Sequence, residues 1–300
     1  MAAPLPNTAV IAVGGQTPLP SLVSSRSMRA QRVGAALRLW IPAGVLVLVL
    51  ATCFVLPLVV TLPNPTNANI LAAGLPLFSP GHWLGTTQVG YDVFSQLVYG
   101  GQVAFEVSIS VTIVGVVVGT VIGIAAGYFG GWVDAILSRV LDVLIAFPAL
   151  VLALVIAEGL GPSELHVIWA LSVFSIPAVG RVTRGATLVI RELPYMVASR
   201  LAGTRPWRAI FKHIVPNIIP SLVTFILLGI GITIILEGAL DYLGYGIPPP
   251  EASWGQMIAS GQTVLTAQPQ YVLVPSVALI ITVVALNMLG DALRERWGVQ

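Results

Sequence analysis

Long apolar runs separated by short polar stretches dominate the chain from residue 39 onward. Six of them approach the roughly 20 residues a helix needs to cross the hydrocarbon core of a bilayer. They cover about 39–61, 103–127, 136–157, 165–187, 217–240 and 271–289. Such runs must close their backbone hydrogen bonds internally, because lipid offers no partners. The pattern predicts an all-α fold, a polytopic transmembrane bundle of six spans within 38–300. Residues 1–37, rich in Pro, Gly, Ser and Ala, read as a mostly irregular tail with a short interfacial helix near its end. Pro148 predicts a bend in the third run, and Pro177 lies inside the fourth. The second run carries Gly115, Gly119, Gly123 and Gly127 at every fourth position, a ridge that lets another helix backbone approach closely.

Composition agrees with this picture and charge orients it. Hydrophobic residues make up 56% of the chain and charged residues 9%, against roughly 25% charged in a soluble domain. The net charge is only +2, yet the placement of the basic residues is one-sided. The tail holds Arg26, Arg29, Arg32 and Arg38, and the connection 128–139 holds Arg139. The fourth run's end and the loop after it hold Arg181, Arg184, Arg191, Arg200, Arg205, Arg208 and Lys212. Arg294 and Arg296 close the chain. The alternate connections, 63–101, 159–164 and 241–270, contain no Lys or Arg but carry Asp92, Glu164, Asp241 and Glu251. The positive-inside rule then predicts both termini and the loop 188–216 in the cytoplasm. A wrong helix count would scatter these charges. The first 25 residues lack the early basic region and apolar core of a cleavable signal peptide. Cys53 is the single cysteine, and His82, His166 and His213 show no ligand spacing, so no metal site and no internal disulfide are expected.

The most patterned polar segment is 191–216, RELPYMVASRLAGTRPWRAIFKHIVP. It exceeds the 2–8 residues that usually join antiparallel helices in a bundle. Trp207, Ile210, Phe211, Ile214 and Val215 recur at helical spacing, with Arg205, Arg208 and Lys212 on the other side. Gly203 breaks the preceding helical stretch, and Pro206 suits the first turn of the next. The segment therefore reads as helix–turn–helix. Pattern alone leaves two uses open: an interfacial helix lying in anionic headgroups, or a docking element for a soluble partner.

At these residues the chain resembles the permeases of binding-protein-dependent ABC importers. Their cytoplasmic loop carries Glu-Ala-Ala, a Gly four residues later and a Pro about 13 beyond. The matching positions are Val197, Ala198, Ser199, Gly203 and Pro216, with Val197 in place of the Glu and Ser199 in place of the second Ala. Further stretches, LGTTQVGYDVFSQLVYGGQ (84–102), AGYFGGWVDAILSRVLDVLIAFPALVLAL (126–154), LEGALDYLGYGIPPPEASWGQMI (236–258) and LNMLGDALRERW (286–297), resemble the dipeptide/oligopeptide permeases of the C-subunit type. Thr87 and Tyr91 depart from that pattern, while Gly90 and Asp92 match it. The resemblance spans about 82–297. It implies a non-catalytic half-transporter in the cytoplasmic membrane that moves di- or oligopeptides by alternating access. A second, non-identical permease, two ATPase subunits that use ATP and Mg, and an extracytoplasmic substrate-binding protein are the implied partners. It further implies that Ala198, Ser199, Arg200, Gly203, Thr204, Arg205, Pro206, Trp207, Arg208 and Phe211 couple to the ATPase. No GxxxxGK[ST] phosphate loop occurs in the chain, in keeping with that division of labour.

Acidic residues near the spans are the remaining candidates. Asp142 follows Arg139 by three positions and is expected to pair with it along the helix. Glu237, Asp241 and Trp254 are candidates for the translocation path or its outer mouth, with a structural hydrogen-bonding role as the plainer account of Glu237. An ion-coupled secondary transporter predicts paired acidic groups at mid-membrane and inverted repeats; neither is evident in the sequence. An intramembrane hydrolase would need a Ser/His, paired Asp or His-cluster arrangement, and no His lies deep in a run. A non-transporting membrane scaffold stays open at this level.

Overall fold

The computed structural model describes residues 25–298, with side chains from Leu37 onward. Most of the expected tail, including the side chains of Arg26, Arg29 and Arg32, therefore lies outside the described residues. The segment up to Leu37 is a unit of its own, helical from Ser25. From Arg38 onward the chain forms a second unit, and all packing below lies within it.

The described residues are helical apart from turns and two isolated β-bridges in the outer connection, Ser79↔His82 and Thr86↔Asp92. The elements are α1 (Ser25–Leu50), a π turn (Ala51–Val55), α2 (Leu56–Val59), α3 (Val93–Phe129), α4 (Gly131–Ile145), α5 (Ala149–Leu160) and α6 (Glu164–Arg191). Then follow α7 (Pro194–Leu201), α8 (Pro206–Ala209), a second π turn (Ile210–Ile214), α9 (Val215–Tyr242), α10 (Trp254–Gly261) and α11 (Gln270–Trp297). Among the described residues five helical stretches are long and apolar enough to cross a membrane, or six if the bent pair α4 and α5 counts as one span.

The α3–α6 contact is the most extensive in the molecule. A Cβ on Gly119 would stand 2.6 Å from the Ile176 carbonyl oxygen, and one on Gly123 2.5 Å from that of Gly180. The glycine ridge thus meets backbone, as its spacing predicts. Both numbers rise together along the contact, from Gly115 at Ser175 to Gly127 at Thr187, so the two helices run parallel. A chain that leaves one end of α3 and re-enters at the opposite end of α6 must return along the bundle. The bent α4–α5 pair makes that return, which is the physical reason to read it as a crossing.

The third expected span, 136–157, is not one rod. α4 and α5 meet at 83°. Proline at 148 excludes the helical region for Phe147, so α4 stops at Ile145 and α5 starts afresh after Pro148 (φ −58°, ψ 126°). Two ion pairs hold α4 against α6. Arg184 forks onto Asp134, with Nη2 2.7 Å from Oδ2, and Arg181 Nη2 lies 2.6 Å from Asp142 Oδ1. Asp142 therefore pairs across helices with Arg181, not along its own helix with Arg139.

Other boundaries differ from those read in the sequence. α3 begins ten residues before the expected 103, because Asp92 caps it: Oδ1 accepts from Ser95 N at 2.7 Å while Oδ2 lies 2.7 Å from His82 Nδ1. Gly100 and Gly101 stay helical, pressed against Ser253–Trp254 and Cys53. The fifth helical stretch begins at Pro206, not 217, and the sixth continues through the expected tail to Trp297. α9 runs antiparallel to α11, with Gly231 near Val283 and Gly238 near Leu279. Arg38 Nη1 and Glu295 Oε2 approach to 3.7 Å, so the start of this unit and its carboxyl-terminal helix share one end of the bundle.

Both π turns precede a proline, Pro57 and Pro216. A helical proline leaves the carbonyl four residues back without a donor. For Pro57 that carbonyl belongs to Cys53, and Gln102 Nε2 from α3 donates to it at 2.6 Å. We expect Gln102→Leu to destabilise the bundle by about 1–3 kcal/mol, since a buried carbonyl loses its partner. Adding Pro57→Ala to that variant restores an N–H at position 57 and should recover part of the loss. Thermal unfolding of the detergent-solubilised variants measures both, and equal unfolding of the single and double variants would contradict the account.

Candidate functional site

The connection 191–216 is built from two helix ends and one tight turn. Leu193 is extended and Pro194 opens α7. At its other end Gly203 adopts φ +71°, Gly203 N donates to Arg200 O at 3.0 Å, and Thr204 N donates to Ser199 O at 3.1 Å. This pairing is the Schellman arrangement, and it needs a residue at ease in the left-handed region. Arg205 is extended again, and Pro206 begins the long helix of α8, the π turn and α9. Arg200 Nη2 donates to Arg191 O at 2.8 Å, and Arg191 Nη1 donates to Gly127 O at 3.0 Å. α7 is thus tied through Arg191 to the end of α3.

The expected helix–turn–helix is present, but its second helix is the start of the fifth stretch and not a separate element. Its apolar residues also divide differently. Ala209 and Ile214 are buried with Met196 of α7, Val179 and Ile190 of α6, and Ile218 and Leu222 of α9. Ile210 and Val215 are half-buried. Trp207 and Phe211, expected on the same face, are 54% and 69% exposed. The π turn at Ile210–Ile214 adds a residue to one turn and rotates the residues before it relative to those after it.

The surface that results was not legible as such. Leu193, just before α7, and Val197 and Leu201 on it recur every four residues and are exposed, with Leu201 at 84%. Ala198 and Arg200 are exposed beside them, and Ser199 and Thr204 are half-buried. Arg205, Pro206, Arg208 and Lys212 are exposed with Trp207 and Phe211, and the Arg208 guanidinium lies 5.3 Å from the Trp207 ring centre. Only Met196 points inward from α7, fully buried. The helix therefore presents an outward apolar and basic face and one anchor into the bundle.

The outer candidates lie at the opposite end. Glu237 and Asp241, one turn apart on α9, are both buried and face each other. Each leaves one oxygen, Glu237 Oε1 and Asp241 Oδ2, without a hydrogen-bond donor among the described residues. The acidic pairing not evident in the sequence is thus present, at the end of α9. Asp241 Oδ1 accepts from Ile247 N at 2.8 Å. Gly246 and Gly255 press on the same carboxylate side chain, where a Cβ would overlap it or the Gly238 carbonyl. Trp254 is 1% exposed and donates from Nε1 to Leu97 O at 2.9 Å. Asp241 and Trp254 tie the segment after α9 to α9 and α3, and neither they nor Glu237 line the cavity between α3, α6 and α9.

That cavity, about 170 Å³, was missed. Thr112, Phe174, Ser175, Phe225 and Thr233 line it. It left no signal because the packed, lipid-facing and cavity-facing sides of these helices are all predominantly apolar, so periodicity cannot separate them.

Residues 119–296 match the family described as binding-protein-dependent transport system inner membrane component. The glutathione transport system permease protein GsiD of Pectobacterium atrosepticum is 39% identical, over 72% of this chain and 72% of its own length. The probable D,D-dipeptide transport system permease protein DdpC of Escherichia coli is 33% identical, over 90% of this chain and 93% of its own. Among solved structures, the inward-facing MetNI methionine ABC transporter aligns with a TM-score of 0.54 at 18% identity, over 68% of this chain and 96% of that one.

If Asp241 holds the outer segment as the geometry indicates, Asp241→Ala leaves Ile247 N–H unpartnered at a cost of about 1–3 kcal/mol. Limited proteolysis should then cut within 243–253 faster than in the parent, while Glu251→Ala, at an exposed position, should leave the rate unchanged.

Proposed function

The chain belongs to the binding-protein-dependent transport system inner membrane components, and from that premise we propose that it is one transmembrane half of an ATP-driven importer of di- or oligopeptides. The observation that carries the coupling part of this reading is the outward face of α7 and α8. A stripe of Leu193, Val197 and Leu201 beside Arg205, Arg208 and Lys212 is larger than scattered surface hydrophobes, and such faces mark interaction sites. The peptide cargo follows from the dipeptide and glutathione systems of the relatives.

Orientation supports the same reading. Arg38, the basic residues of 181–212, and Arg294 and Arg296 gather at one end of the bundle, the end where α3, α6 and α11 finish. Under the positive-inside rule this end is cytoplasmic, with six crossings and both termini inside. Residues 38–300 then form the permease domain, preceded by the tail 1–37. A second, non-identical permease completes the translocation path, two ATPase chains hydrolyse ATP with Mg below, and an extracytoplasmic binding protein delivers cargo above.

In this mechanism the ATPase pair closes on ATP and moves α7 as a rigid lever. The Schellman turn at Gly203 keeps α7 at a set angle to α8. Met196 transmits the motion into the buried cluster of Val179, Ile190 and Ile214, which joins α6 to α9. Because α6 is interlocked with α3, the groove lined by Phe174, Ser175, Phe225 and Thr233 changes its exposure with the same step. Packed elements with two discrete arrangements are the usual carriers of such switching.

The test is reconstitution of the assembled transporter with the double variant Arg205→Glu/Arg208→Glu. Peptide uptake should fall by about tenfold or more, the equivalent of some 1.4 kcal/mol of lost docking. The ATPase chains should meanwhile retain hydrolysis on their own. Unchanged uptake and unchanged substrate-stimulated hydrolysis would overturn the coupling role of this face.

A further inference from the structure

A second cavity, about 270 Å³, opens at the outer end between segment 87–96 and segment 249–271. It is separate from the groove between α3, α6 and α9 and has room for about nine waters. Its floor is apolar, formed by the buried Val93, Met257 and Val264. Two half-buried carboxamides, Gln96 and Gln256, line its walls, and neither side chain bonds to another described residue. The Tyr271 hydroxyl belongs to the same lining and is buried without a hydrogen-bond partner among the described residues.

Charge narrows the ligand further. Glu251, exposed, is the only carboxylate of the lining. Lys and Arg are absent from 39–138 and from 213–293, and none is among the described residues that line the cavity. A free carboxylate would find no counter-charge there, whereas an ammonium group would. Carboxamides that each donate and accept match the two faces of a peptide group. The volume suits one or two residues of a peptide.

We propose that this cavity is an outer subsite for the amino-terminal end of a short peptide. The ammonium lies at Glu251, the first peptide group is met by Gln96 and Gln256, and the first side chain enters the floor of Val93, Met257 and Val264. The proposal rests on the importer reading above, and it adds a requirement that reading lacks: a free amino terminus.

The experiment uses the assembled transporter in nanodiscs and the probe photoleucyl-alanine, irradiated and mapped by mass spectrometry. Adducts should fall on the cavity floor, at Met257 or Val264, and excess leucyl-alanine should suppress them. Labelling should drop by about twofold to fivefold for the N-acetylated probe and for Glu251→Gln, the range expected for one exposed ion pair. Ser260→Trp, which fills the cavity from an exposed position, should abolish it. Adducts elsewhere, or equal labelling by the acetylated probe, overturns the proposal. Absence of dipeptide uptake by the unmodified transporter defeats the importer reading itself; normal uptake with an unlabelled cavity defeats only the subsite.

Discussion

Backbone contact between α3 and α6 sets the layout of the bundle. Where four glycines of α3 face Ser175, Gly180, Thr183 and Thr187, the helices come closer than side chains would allow. Inside a membrane, apolar side chains gain nothing by leaving lipid for one another, so association depends on van der Waals fit of this kind. Because the pair is parallel, the chain must return between them. That requirement explains why a segment broken at 83° is retained as part of the bundle. The fork of Arg184 onto Asp134 and the Arg181–Asp142 pair then fix α4 against α6 where small residues cannot.

Proline shapes the remaining helices by removing donors. Pro57 and Pro216 follow π turns, Pro148 divides α4 from α5, and Pro194 and Pro206 each open a helix at the basic end. At helix starts the missing N–H costs nothing. Within a span it leaves a carbonyl that must be met from elsewhere, as Gln102 meets Cys53. The same rule makes α7 short: a proline at one end and a left-handed glycine at the other isolate eight residues whose outer face is free and whose single buried anchor is Met196.

The two ends of the molecule differ in chemistry. One is basic, with an apolar stripe turned outward. The other is acidic, with Asp92, Glu237 and Asp241 buried, and Asp92 and Asp241 hold loops in place. Asp92 caps α3 and meets His82, while Asp241 receives the backbone of Ile247. The outer segments are thereby folded against the bundle, and the 270 Å³ cavity forms where two of them meet.

Much of this was readable from the chain. Apolar run length determined the helical class, because backbone groups in lipid have only one solution. One-sided Arg and Lys determined the polarity of the basic end, and glycine spacing marked the interlocking ridge. Gly203 and Pro206 marked the turn, since both act through their own backbone. What tertiary structure alone decided depends on partners distant in sequence. Asp142 chose Arg181 over its neighbour Arg139, and Trp207 and Phe211 turned outward once a π turn rotated them. Trp254 and Asp241 are buried, bonded to Leu97 O and to Ile247 N, partners that no local pattern names. The cavities were invisible for the same reason: in a span that is apolar all round, only the packed neighbour distinguishes a face that meets lipid from one that lines a hole.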